Sequence, residues 1–277
     1  MSPDEYCQQK AAASGSSFYY SFLFLPPEKR RAITAVYAFC REVDDAVDDV
    51  HEPSVAQAKL AWWRREIDAA FDGTPEHPVG RALAGVAREH DLPREHFHAV
   101  VDGMQMDLEQ TRYLDFASLE RYCHRVAGVV GLLAARIFGY SDKATEGYAR
   151  DLGIAFQLTN IVRDVGEDAM RGRIYVPQED LARFGVPASQ ILKRDAGGNF
   201  AALMAFQVQR ARDWYERALS QLPRGERRAQ RVGLAMAAIY RALLAEIERD
   251  GYRVLDRRIA LTPVRKLWIA WKTALLA

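Results

Sequence analysis

The chain has 277 residues, 49% of them hydrophobic, which is enough to bury a sizeable core and excludes a disordered chain. Lys and Arg number 38 against 37 Asp and Glu, a formal net charge of +1, so no global field attracts nucleic acid and none is expected as a partner. Cys7, Cys40 and Cys123 are odd in number and lack C-x-x-C spacing, which excludes a disulfide scaffold or a zinc site and suits a reducing compartment.

In chain order, Ser2, Pro3 and Glu5 read as an N-cap, a proline at the first helical position and a capping-box glutamate, starting a helix that runs to about Ala13. This acidic opening has no basic or apolar leader region, so a cytoplasmic location is expected. Ser14 to Ser17 break the first helix. Pro26 and Pro27 open a second, with Ile33, Val36, Tyr37, Cys40, Val43 and Val47 at helical spacing, and an acidic cluster at Asp44 to Asp49 ends it.

Further helices are expected over Val55 to Phe71, Val79 to His90, Pro93 to Thr111, Ser118 to Phe138, Lys143 to Val165, Asn199 to Leu222 and Arg224 to Arg249. Strand-like alternation is nearly missing and no linker divides the chain, so the expectation is one all-α domain over residues 1–277. Gly128 and Gly131 each cost their helix about 1 kcal/mol relative to alanine, which calls for close approach by a neighbouring helix or a ligand. Near the C-terminus, Arg265 to Lys272 mix basic residues with Trp268 and Trp271. The expectation is a helix packing both tryptophans into the core; the alternative is peripheral contact with an anionic bilayer at the inner face of the cell membrane. Because Arg136 interrupts the most apolar stretch, no run reaches the roughly 18 residues of a membrane span.

The chemistry concentrates in two acidic clusters, Asp44 to Asp49 and Asn160 to Asp168. Asp44 and Asp48 share one helical face, and Asp164 and Asp168 repeat the spacing with Asn160 one turn earlier. Like charges so placed destabilise a helix by about 0.2 to 0.5 kcal/mol per pair, so a cation is expected between them. One such motif reads as a solvated helix end; two, facing each other on antiparallel helices across a bundle, would make a cavity able to hold Mg²⁺ and, through it, a diphosphate. Arg41, Arg163, Arg171 and Arg173 accompany the clusters, the last two in a loop suited to closing over phosphate. His96 and His98 are two apart and cannot form a helical metal pair, and no P-loop or G-x-G-x-x-G run is present.

Four stretches together carry a resemblance: Ser17 to Tyr20; Tyr37 to Arg41 leading into Asp44 to Asp48; Tyr122 to Gly131; and Gln157 through Asp168 to Arg173, Ile174 and Tyr175. In this order they resemble the squalene/phytoene synthase family, all-helical isoprenoid-synthase-type bundles with a central cavity that join two prenyl diphosphates head to head. The resemblance implies Asp44, Asp48, Asn160, Asp164 and Asp168 as ligands of on the order of two or three Mg²⁺ ions. It implies Arg41, Arg163, Arg173 and Tyr175 as diphosphate contacts. Ser17, Phe18, Tyr37, Asp107, Tyr122 and Gln157 would line the reaction cavity, with core packing an open alternative for Phe18 and Tyr122.

Within the family, Met1 to Cys7 and Phe22 to Pro27 are most similar to the branch that makes presqualene diphosphate for bacterial hopanoids. This implies two farnesyl diphosphates as substrates, no NADPH for that step, and downstream isoprenoid enzymes as partners. Phytoene synthase, joining two geranylgeranyl diphosphates, and dehydrosqualene or squalene synthase are the near alternatives. A terpene cyclase and a non-catalytic divalent-ion scaffold are the more distant ones.

Overall fold

The computed structural model describes residues 1–13, 21–22, 25–48 and 52–276, so Ser17 and Phe18 lie outside the described residues. Among the described residues the protein is helical, with an isolated bridge between Arg112 and Ile174 as the only β pairing. Helix α1 (Pro3–Ala13) begins as its capping box requires: the Glu5 amide donates to Ser2 Oγ at 3.2 Å and the Ser2 backbone amide donates to the Glu5 carboxylate at 2.8 Å. Helix α2 (Pro27–Asp48) ends in the first acidic cluster, as expected. Helices α3 (Pro53–Asp72), α4 (Pro78–Glu89) and α5 (Arg94–Glu109) follow close to their expected bounds.

The expected helix from Ser118 to Phe138 is in fact three pieces. Helix α6 (Phe116–Cys123) starts from a reciprocal cap between Asp115 and Ser118, a π turn spans His124–Gly128, and α7 (Val129–Phe138) completes the run. Helix α8 (Ala144–Met170) continues past the expected end at Val165, so Asp168 stays on the helix. It passes Gly166 because only a missing side chain admits the strand of backbone beside it; a Cβ there would stand 2.6 Å from the Val254 carbonyl. Two short helices, α9 (Gln178–Phe184) and α10 (Ala188–Leu192), were not expected. Then come α11 (Phe200–Gln221), a 3₁₀ turn Arg224–Glu226 where one long helix was expected, α12 (Arg231–Arg249) and α13 (Pro263–Leu276).

Helix α8 is the spine: it packs along α11 and against α7 and α12. Two glycines set its distance from the preceding segment. A Cβ on Gly131 would lie 2.1 Å from the Ala149 carbonyl, and one on Gly153 would lie 2.2 Å from the Ala127 carbonyl. Close helix approach therefore explains Gly131.

The helices bearing the two clusters run parallel, not antiparallel. At one end Lys29 Nζ donates to the carbonyl of Phe138, just before α8 begins; at the other, Arg173 beyond the end of α8 donates to Asp48, the last residue of α2. Both clusters sit at C-terminal helix ends, so only a parallel arrangement can bring them together. The tryptophan expectation is also corrected. Trp268 is 59% and Trp271 48% exposed, because α13 turns Ala270 and Ile269 toward the core and leaves the rings outside.

Candidate active site

All the described residues expected as metal, diphosphate or cavity contacts line one cavity of about 640 Å³. Helix α2 supplies Tyr37, Arg41, Asp44 and Asp48; α5 supplies Asp107; α6 supplies Tyr122; α8 supplies Gln157, Asn160, Arg163, Asp164 and Asp168; the following loop supplies Arg171, Arg173 and Tyr175. On α8, the cavity residues recur at three and four, through Tyr148, Ala149, Leu152, Gly153, Phe156, Gln157, Asn160, Asp164 and Asp168, so one stripe of a single helix forms a whole wall. The wall is apolar at its N-terminal end and acidic at its C-terminal end.

At the acidic end Asp44, Asp45, Asp48 and Asp164 each meet a guanidinium. Arg41 donates to Asp44 and Asp45, both at 2.7 Å. Arg171 and Arg173 donate to the two oxygens of Asp48 at 2.6 and 2.8 Å, tying the loop after α8 to the end of α2. Arg163 grips Asp164 with two nitrogens, and Arg258 donates to the same carboxylate at 3.0 Å.

The charge balance still favours a cation. Burial, with Asp48 and Asp45 nearby and against the pull of Arg41, pushes Asp44 up to about 6. Burial and the neighbouring Asp164 push Asp168 up to about 8 despite Arg171 and Arg173. Neither α2 nor α8 has a basic residue in its last turn, so the negative helix ends add to the carboxylates. Among the described residues no ready-made cluster of three or more His, Cys, Asp or Glu is gathered to hold a metal ion, since the aspartates are turned to arginines. Asn160 is the exception that marks the site: its Oδ1 is buried without a hydrogen-bond partner, while its amide donates to Gln157 at 3.3 Å. An orphaned amide oxygen between aspartate pairs is the hard, all-oxygen donor set that suits Mg²⁺, so the residues present fit that ion.

Below the carboxylates lies an aromatic layer. Tyr122 and Tyr175 each donate a phenolic hydrogen to buried Asp107, at 2.9 and 2.8 Å; the Tyr175 ring stacks on both Tyr122 and Tyr113, and Tyr122 is tilted against Tyr113. Burial raises Asp107 to about 6 against the opposing effects of the Tyr175 hydrogen bond and Arg173, and raises both phenols well above their ordinary range. Tyr175, expected to meet diphosphate, thus has its hydroxyl committed to Asp107. Tyr122 is both packed in the core and part of the cavity wall, so the two alternatives for it coincide.

Sequence reading missed Tyr240 on α12, Arg258 in the segment after it, and Lys266 on α13, all of which line the cavity beside Arg163 and Asp164. The density of basic residues from Arg257 to Lys266 was the available signal, but no motif tied it to the aspartates.

A profile of the squalene/phytoene synthase family matches residues 11–265. The chain is 41% identical over 260 residues to a phytoene synthase of Mycobacterium tuberculosis, covering 92% of this chain and 84% of that protein. It is 37% identical to a 15-cis-phytoene synthase of Synechococcus elongatus, covering 95% and 89%. Among solved structures, a dehydrosqualene synthase in complex with a ligand superimposes with a TM-score of 0.88 at 30% identity, covering 99% of this chain and 96% of the other. The squalene synthase HpnC of Alicyclobacillus acidocaldarius gives 0.79 at 30% identity, covering 90% and 94%. The shared all-α fold and a match across nearly the whole chain leave one conclusion: the chain belongs to the squalene/phytoene synthase family.

Proposed function

We propose that this protein joins two farnesyl diphosphates head to head and stops at presqualene diphosphate. The observation that carries the prenyl-coupling reading is the polarity of the cavity: both aspartate pairs and five arginines converge at one end, and the remaining wall is largely apolar and aromatic. Diphosphate heads are matched by the first region and oily chains by the second. The C15 donor and the cyclopropyl product rest on the resemblance of the Met1 to Cys7 and Phe22 to Pro27 stretches.

Asp44, Asp48, Asn160, Asp164 and Asp168 are the residues that would hold Mg²⁺, which when bound neutralises charge developing on a departing diphosphate. Arg41, Arg163, Arg173 and Arg258 bind the diphosphate oxygens, with Arg171 and Arg173 released from Asp48 as substrate enters. The C–O bond of the first farnesyl diphosphate breaks, and the allylic cation sits among Tyr37, Tyr122, Phe156 and Tyr240, whose ring faces stabilise positive charge. The apolar wall keeps water from it. A double bond of the second substrate donates its electron pair to form the new C–C bond. Loss of one proton then closes the cyclopropane, and the second diphosphate stays on the product.

The phenol of Tyr122 already donates to Asp107 and is held neutral by burial, which makes it a poor base; we assign the proton to the released diphosphate. Incubation with farnesyl diphosphate and Mg²⁺, with and without NADPH, tests the reading. A C30 cyclopropyl diphosphate formed without NADPH supports it, and squalene formed only with NADPH moves the step to a full squalene synthase. A second reading, coupling of two C20 donors, is favoured by the phytoene synthase names of the curated relatives. Competition between C15 and C20 donors separates the two.

A further inference from the structure

Far from the carboxylates, the cavity ends on a tyrosine that the reaction above does not use. Tyr148 is the first α8 residue on the cavity wall, sixteen residues before Asp164 and therefore about 24 Å from it along the helix. Other elements close the same end: Ile33 near the start of α2, Phe138 at the end of α7, and Gln230 just before α12. Gln230 is fixed there by donating to the carbonyl of Gly139 at 3.0 Å.

The Tyr148 side chain is 1% exposed, and its hydroxyl is buried without a hydrogen-bond partner among the described residues. It points at Gly233 on α12, where a Cβ would stand 2.6 Å from Oη. A phenylalanine would fill the same space without burying an unpaired hydroxyl, so core packing alone does not account for this residue. The ring supplies the bulk that stops the channel, and the para oxygen only extends it to the opposite helix at Gly233.

We propose that Tyr148 is the chain-length gauge of the cavity, stopping the tail of the prenyl chain that lies along α8. A six-carbon ring is comparable in size to the five-carbon unit that distinguishes a C20 from a C15 chain. Removing it opens the floor toward Gly233 by about one such unit. The inference rests on the prenyl diphosphate reading and deepens it, since that reading does not say what limits the tail.

The test uses the whole protein and the non-hydrolysable farnesyl and geranylgeranyl thiodiphosphates, with affinities measured by calorimetry in Mg²⁺. Tyr148→Ala should shift the ratio of the two affinities toward the C20 analogue by about tenfold or more, the scale on which apolar pockets discriminate added carbons. Tyr148→Phe, which keeps the ring, should shift it far less. Tyr148→Val serves if the alanine variant does not fold. If the wild-type protein binds neither analogue, the prenyl diphosphate reading itself fails. If it binds them and folded Tyr148 variants leave the ratio unmoved, the gauge is overturned while the reading stands.

Discussion

Arg173 donates to Asp48 across the mouth of the cavity at 2.8 Å, joining the loop after α8 to the last residue of α2. The two come from opposite halves of the chain, and their contact holds the two acidic helix ends in register. Arg173 is also mostly buried, at 15% side-chain exposure, whereas its neighbour Arg171 on the same carboxylate is 55% exposed. The buried arginine faces less competition from water, so it should matter more to charge stabilisation in the reaction. Arg173→Gln should lower kcat/KM for prenyl coupling by about 10²-fold with unchanged helical circular dichroism, and Arg171→Gln should lower it much less. Equal losses in the two variants would contradict this ranking.

The carboxylates turned toward arginines imply that metal and diphosphate bind together. A divalent ion must take Asp44 and Asp48 from their guanidinium partners, and those guanidiniums then need an anion. Mg²⁺ with inorganic diphosphate should raise the melting temperature of the wild-type protein more than the sum of either alone. Asp44→Asn combined with Asp168→Asn should remove that synergy. Additive shifts in the wild-type protein would argue against a joint site.

Asp107 gives a pH dependence with a definite sign. Its carboxyl is raised from 3.8 to about 6, chiefly by burial, so the folded protein holds this proton more tightly than the unfolded chain does. The resulting stabilisation is fully present below 3.8 and is lost as pH rises through about 6, with no further change above it. Denaturation of the wild-type protein and of Asp107→Asn should therefore show a stability difference that changes between pH 4 and about 7 in favour of the variant as pH rises. Taking the difference cancels carboxylates remote from Asp107, whereas Asp44 and Asp168, which its charge helps to raise, relax in the variant and add to the change in the same direction. A difference that is flat across this range would show that Asp107 is not perturbed.

Gly131 tests the packing that shapes the cavity. Because an added methyl would meet the Ala149 carbonyl, a backbone atom that cannot swing aside, Gly131→Ala should force α7 away from α8. The cost expected for such overpacking is about 1 to 3 kcal/mol, visible as a lowered denaturation midpoint. Gly85 has open space around its missing side chain, so Gly85→Ala should be neutral or slightly stabilising.

Much of this arrangement was legible because local chemistry set it. The Ser2 and Glu5 capping box, the proline starts and the spacing of aspartates act within one or two turns, and the structure places them as read. The π turn at His124–Gly128 was not legible, since it keeps the apolar composition of a continuous helix while altering only its hydrogen bonding. The parallel course of α2 and α8 depends on contacts such as Lys29 to Phe138 that no local pattern encodes. Arg258 and Tyr240 reach the site only because α12 and the segment after it fold back over α8. Ser17 and Phe18 lie outside the described residues.

The outward tryptophans of α13 lead to a last expected outcome. Val264, Leu267, Trp268, Trp271 and Leu275 recur at three and four, and each is exposed, so they form one apolar stripe facing away from the core. Trp268 and Trp271 lie with ring centroids 5.2 Å apart, residues 257–277 contain no Asp or Glu, and Lys272 is exposed beside the rings, whereas Arg258 and Lys266 face the cavity and Arg257 and Arg265 pair with Asp250 and Glu246. Among the described residues no helix is long and apolar enough to cross a membrane, so any bilayer contact would be with the surface. An amphipathic stripe with aromatic rings and an exposed lysine matches the interface of an anionic bilayer. The protein should co-float with vesicles of phosphatidylglycerol and much less with neutral phosphatidylcholine, and Trp268→Ser with Trp271→Ser should abolish flotation without lowering coupling activity in detergent. Equal flotation of the double variant would place the contact elsewhere. Concentration-dependent association without vesicles, lost in the same variant, would make the stripe a contact between two copies of the chain.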